Sequence, residues 1–199
     1  MIDTTKSQIL KAALIEFGSK GYELASTNRI AQEASVSKGI IFKHYKTKAN
    51  LFFEVFQTSL SEFMNAYKAL DFSHIVDPIE KMVAYVHWKG VYFANQSYAG
   101  AVLMEGFSSP PPELTEKMAQ LMGETRELSL DSLFQSLDRS QLRSDITEEV
   151  FMKTLQIAVA GMQAVYIHKG ITQAQLESMR EENMRFLTII IRGMEKDHE

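Results

Sequence analysis

A chain of 199 residues with a formal net charge of −4 and no cysteine is long enough for a small recognition unit and a second helical body with a substantial core. The missing cysteines exclude a disulfide scaffold and any thiolate metal site. The apolar runs stop far short of the roughly 20 residues of a membrane span, and MIDTTKSQ lacks the apolar centre of a signal peptide, so a soluble cytoplasmic protein is expected. Charge is unevenly divided: residues 1–50 hold eight cationic and four anionic side chains, a net of +4, which leaves −8 for the rest. A basic head on an acidic body favours one face for a polyanion.

The first helix is expected from about Thr5 to Lys20, with Ile9, Leu10, Ala13, Leu14 and Phe17 on one stripe. Gly21 ends it and Tyr22 packs back on the stripe. Ser26 and Thr27 then suit the start of a short helix carrying Ile30, Ala31 and Ala34. Ser35 and Val36 turn the chain, and Ser37 can cap a second short helix. In that helix Ile41 and Tyr45 lie one turn apart on the apolar side, while Lys38, Gly39, Phe42 and Lys43 fall opposite. Folding does not require that opposite side. A helix in a DNA groove does: it needs cations, a glycine for close backbone approach, and groups that touch base edges or thymine methyls. Leu10, Phe17, Tyr22, Ile30, Ala31, Val36, Ile41, Tyr45 and Leu51 can close the core of a three-helix head.

The segments ILKAALIEFGSKGY and STNRIAQEASVSKGIIFKHYKTKANLF together resemble the N-terminal DNA-binding domain of the TetR family of bacterial transcriptional regulators. The likeness covers about a quarter of the chain. It implies an all-α protein of about nine helices, with a helix-turn-helix domain at 1–48 and a ligand-binding and dimerisation domain at 49–199. The DNA-binding set it implies is Thr27, Ser37, Lys38, Gly39, Ile40, Phe42, Lys43, His44 and Lys48. Lys38 and Gly39 would approach base edges, and Lys48, Thr27 and His44 would meet phosphates. Three positions depart from the family pattern: Ile40 stands for a frequent threonine, Phe42 for a frequent tyrosine and Ser35 for a common glycine.

From Ala49 a long helix is expected to reach about Leu70, carrying Leu51, Phe52, Val55, Phe56, Leu60 and Phe63, and to act as a lever between head and body. Pro78 to Asn95 follows as a helix that is apolar on nearly all sides, then Tyr98 to Phe107 as a short one. SSPPPE breaks the chain. Further helices are expected at about Pro112 to Leu137, from Asp145 through Lys169, and from Thr172 to Lys196. The last two offer more apolar surface than one partner covers, so a two-fold four-helix interface is expected, with Phe151, Leu155, Ala158, Phe186, Ile190 and Ile191 in it.

Tyr85, Trp88, Tyr92, Met104, Phe107, Met122, Phe134, Met162 and Tyr166 make the body rich in aromatic and methionine side chains. At helical spacing such residues are more often simple core. With the family resemblance they become candidates to line a pocket for a small, mostly hydrophobic inducer, with His87, Lys89 and Glu105 either polar anchors or surface side chains. The five histidines show no metal-ligand pairing, and neither a phosphate loop nor a GxSxG elbow is present, so no catalysis, metal or cofactor is expected. The reading is a homodimeric repressor on a palindromic operator, released by an inducer. The competing reading is a helical ligand- or partner-binding protein that does not read DNA.

Overall fold

The computed structural model describes residues 4–121, 139–165 and 173–196, and among them the chain is helical throughout apart from turns, loops and one isolated bridge between Leu142 and Glu195. The helices are α1 Thr4–Leu24, α2 Thr27–Glu33, α3 Lys38–Tyr45, α4 Lys48–Lys68, α5 Pro78–Asn95, α6 Ser97–Ser108, α7 Glu148–Val165 and α8 Gln173–Met194, with a 3-10 turn at Pro112–Leu114. Among the described residues no helix is long and apolar enough to cross a membrane. The all-α class follows from the 3.6-residue periodicity of the sequence.

Local side-chain caps start three of the eight α-helices named above. Thr47 Oγ1 accepts the Asn50 N–H at 3.0 Å, and Asp77 Oδ1 accepts from Ile79 and Glu80 at 2.7 and 3.1 Å, with Pro78 in the first helical position. Thr147, rather than the expected Asp145, starts α7 by accepting from Val150 at 3.3 Å. Asp145 instead accepts from Arg143 Nε and Nη2, and these hydrogen bonds hold its carboxyl below the usual range. The 112–137 helix expected from the sequence begins later: the prolines set the 3-10 turn, and α-helix runs from 115 to 121. Its continuation lies outside the described residues.

The described residues fall into two compact units, within Met1–Leu70 plus Gln96–Gly123 and within Asp71–Asn95 plus Glu124–Glu199. The first of these compact units extends past 48/49 to take in α4 and α6. The apolar stripe of α4 continues for its full length, burying Leu51, Phe52, Val55, Phe56, Leu60 and Phe63, so the whole helix stays with α1. α6 joins the same unit by packing on both α1 and α4. The second unit is built from α5, α7 and α8, which pack on one another.

In the first unit the core is Ile9, Ala13, Phe17, Ile30, Ile41, Leu51, Phe52 and Phe56, with Phe17, Tyr22 and Phe52 meeting at ring separations of 5.1 to 6.2 Å. Leu10, expected in the core, is half-buried because Ile9 takes the inward position. Two glycines allow α6 to approach this closely. A Cβ on Gly18 would lie 2.7 Å from the Tyr98 backbone, and one on Gly106 would overlap the ring of Phe56.

Overpacking of this kind costs about 1–3 kcal/mol, more than the roughly 1 kcal/mol that alanine gains over glycine in a helix. Gly18→Ala is therefore expected to lower the thermal midpoint despite its better helix propensity. A midpoint at or above that of the parent protein in a calorimetric scan would show that α1 and α6 are not in backbone contact.

Candidate nucleic-acid interface

The recognition surface rests on α3, whose two faces are sorted by burial. Ile41 and Tyr45 are 1% and 7% exposed and face the core, whereas Ser37, Lys38, Gly39 and Lys43 are exposed and Ile40, Phe42 and His44 are half-buried. This is the division expected from the sequence. A Cβ on Gly39 would meet only the neighbouring Ser37 hydroxyl, at 3.7 Å, so the backbone there is open to close approach from outside. Lys38 Nζ lies 5.7 Å from the Phe42 ring centroid one turn on, which pairs a cation with an aromatic edge on the outward face. Ser37 holds the N-cap position, but its side chain makes no cap hydrogen bond, contrary to its expected capping role.

The turns around α3 are tight and strained. Ser35, where the family commonly has glycine, adopts φ 55°, a left-handed conformation that costs a non-glycine residue about 1–2 kcal/mol. Lys46 adopts φ 67°, ψ −49°, and Thr47 N–H donates to the Tyr45 carbonyl at 2.7 Å across it. That is a γ-turn of the rare, strained hand. It joins α3 to the Thr47 cap of α4 with no slack residue, so the recognition helix and the start of α4 are held in one spacing.

Thr27 is the first residue of α2 and half-buried. The Ser26 side chain makes no cap bond; instead Glu16 of α1 accepts the Ser26 N–H at 3.0 Å and pairs with Arg29 at 3.2 Å, fixing α2 on α1. Lys48 is also engaged. Its Nζ donates to the Glu23 carbonyl at 3.1 Å and sits 4.6 Å from the Tyr22 ring centroid. Glu105 of α6 accepts the Tyr22 N–H at 2.8 and 3.0 Å through its two oxygens. Glu16 and Glu105 were not singled out for these roles in the sequence, where acids on helices read as solvated side chains; their partners are set by the fold. Glu105 is thereby placed on the head's backbone rather than on a ligand.

The described pocket candidates are divided between the two units. Tyr85 is buried and Trp88 and Tyr92 are half-buried on α5, their rings stepping along one face at 6.2 and 5.6 Å; Met162 is buried on α7. Met104 and Phe107 belong to the first unit, where Met104 is 40% exposed and Phe107 packs edge-on against Phe56 at 5.1 Å. Met122, Phe134 and Tyr166 lie outside the described residues. Burial lowers the pKa of His87, a shift opposed by Glu177 and reinforced by Arg180. Desolvation lowers that of Lys89 to about 8.

The interface candidates separate as well. Phe151, Leu155 and Ile191 are 1%, 0% and 5% exposed, so the chain itself already covers them and they offer little surface to a second copy. Phe186 is 54% exposed, and Ala158 and Ile190 are half-buried. They line a hollow of about 340 Å³ with Ile157, Gly161 and Met179.

These features define a helix-turn-helix domain joined to a helical body. Residues 9–55 match the family described as bacterial regulatory proteins, tetR family. The chain is 37% identical over 54 residues to the HTH-type transcriptional regulator SAB2452 of Staphylococcus aureus (strain bovine RF122 / ET3-1), covering 27% of this chain and 29% of that one. It is 29% identical over 80 residues to the probable acrEF/envCD operon repressor of Escherichia coli (strain K12), covering 39% and 36%. It thus spans about a third of the length of the curated relatives that it matches. Its fold is similar to that of the transcriptional regulator FadR from Bacillus subtilis, solved in complex with stearoyl-CoA, with TM-score 0.66 and 15% identity over 94% of this chain and 98% of that one. Residues 9–55 are thus similar to the N-terminal domain of tetR-family regulatory proteins, and the fold of the chain is similar to that of a solved regulator.

Lys89 carries a pH dependence whose sign is fixed. Its folded pKa of about 8 lies below the ordinary 10.5, so below pH 8 both states are protonated and burial of the charge opposes folding in full. As pH rises from 8 to about 10.5, the unfolded chain holds more protons than the folded one and stability increases. Lys89→Met should be more stable than the parent at pH 7, with the difference shrinking by pH 10 in denaturant titrations. A constant difference across that range would mean that Lys89 is not desolvated.

Proposed function

We propose that this protein is a ligand-responsive transcriptional repressor that binds a palindromic DNA operator as a homodimer. The observation that carries the reading is the two-sided sorting of α3: Ile41 and Tyr45 anchor it, while Lys38, Gly39 and Lys43 are presented outward between two strained, inextensible turns. Lysines on phosphates supply affinity that falls steeply with salt. Specificity must come from Lys38, Gly39, Ile40, Phe42 and Lys43, where Ile40 and Phe42 offer apolar contact for thymine methyls. The repressor named among the relatives supports the direction of control.

One head reads only a few base pairs, so two-fold pairing is required. The exposed apolar residues Val150, Ile157, Phe186 and Ile189 recur along α7 and α8 beside the hollow at Ala158 and Gly161, where nothing lies within 4 Å of a Cβ placed on Gly161. Such a face suits a second copy, Phe186 filling the space left by the small residues. The inducer is a small, mostly hydrophobic molecule, a class to which the stearoyl-CoA bound by the FadR neighbour is akin in its acyl chain. A tenfold release from DNA needs only about 1.4 kcal/mol of differential ligand binding.

Selection from a random duplex pool at two salt concentrations should recover a palindrome. A folded dimer that enriches no sequence would remove the DNA-reading function and leave a helical binding module. Lys48→Ala should weaken binding evenly across sequences and lower the salt slope by about one unit for each head; an unchanged slope takes Lys48 out of the phosphate contacts. Phe186→Glu should sediment as a monomer at concentrations where the parent is dimeric, and a normal dimer would move the interface off α7 and α8.

A further inference from the structure

The turn that closes α1 is gripped from two sides by residues distant in sequence. Gly21, at φ 73° and ψ 167°, breaks the helical ladder and leaves the Tyr22 N–H to find another acceptor. Glu105 reaches it from α6 with both carboxylate oxygens, at 2.8 and 3.0 Å, a charge-assisted contact at a partly buried site. The approach is close at residue 21, where a Cβ would lie 3.3 Å from a Glu105 oxygen and push the carboxylate back by a few tenths of an ångström. On the other side of the same two residues lies Lys48, at the first position of α4, bonded to the Glu23 carbonyl at 3.1 Å and resting 4.6 Å from the Tyr22 ring centroid.

We infer that Glu105 is a positioning residue for DNA recognition: by holding the Tyr22 peptide it fixes the carbonyl and ring on which the Lys48 ammonium is docked. This rests on the DNA-binding reading above. An ammonium has three donors; one is spent on Glu23, and the others are aimed from a side chain that no longer samples its full range of rotamers. Release of the Tyr22 peptide frees the Glu23 carbonyl and the ring to move, and Lys48 loses its seat without any change in its own identity. Because Glu105 lies on α6, which keys into α1 at Gly18 and into α4 at Gly106, a shift of α6 along this contact reaches a phosphate-binding side chain directly. Glu105 itself touches no DNA.

The test is the salt dependence of operator binding by the full-length protein and its variants. Glu105→Ala should lower the slope by about one unit per head, and adding Lys48→Ala to it should lower the slope no further, since both remove the same contact. Glu105→Gln, whose amide oxygen can accept the same N–H, should keep the parent slope, whereas Glu105→Asp, one methylene shorter, should lose it. A parent slope in folded, dimeric Glu105→Ala, or an additive loss in the double variant, overturns the role. Should Glu105→Ala fail to fold, the Gln and Asp variants decide: different slopes support the inference and equal slopes overturn it. Failure of the parent protein itself to bind any duplex is a different result, which removes the regulator reading and this inference with it.

Discussion

The first unit depends on a backbone break that only glycine tolerates. At φ 73° and ψ 167° Gly21 occupies a region closed to residues with a Cβ, and the break turns Tyr22 back onto Phe17 and Phe52 while stripping its N–H of a helical acceptor. A partly buried donor left without a partner would cost about 1–3 kcal/mol. The acceptor comes from Glu105, 83 residues away. That one hydrogen bond requires α6 to lie close against α1, and Gly18 and Gly106 supply the room. α6 is thereby built into the same unit as α1 and α4.

Rigidity then passes outward to the exposed side of α3. Glu16 fixes α2, the left-handed Ser35 sets the α2–α3 turn and the γ-turn at Lys46 sets the step from α3 to α4. The two strained residues are tolerated because Ile30, Ile41, Tyr45 and Leu51 are buried around them, and burial of each such side chain contributes roughly 1.5–3 kcal/mol, enough to outweigh a local cost of about 1–2 kcal/mol. Strain of this kind suits a surface that must present Lys38, Gly39 and Lys43 in one arrangement.

In the second unit, two chemically similar sets of side chains have opposite fates. Phe151, Leu155, Val159, Leu187 and Ile191 form its interior, while Val150, Ile157, Phe186 and Ile189 remain on the surface. A monomer has no use for that second set, which is the physical argument for a partner. The aromatic steps of α5 and the desolvated Lys89 belong to the same unit, where apolar surroundings and a cation are brought together.

Most helix positions, the break at Gly21 and the inward and outward sides of α3 were legible in the chain, because each depends on periodicity or on the stereochemistry of one residue. α5 falls at Pro78–Asn95 for the same reason. The division into units, the pairing of Glu105 with Tyr22 and of Glu16 with Ser26, and the choice of which apolar residues of α7 and α8 turn inward were not. Helical spacing tells that Leu155 and Ile157 lie on different sides but not which side meets α5 and α8, and no local rule connects an acid on α6 to a peptide 83 residues earlier. Those outcomes are properties of packing, decided when the helices competed for the same buried surface.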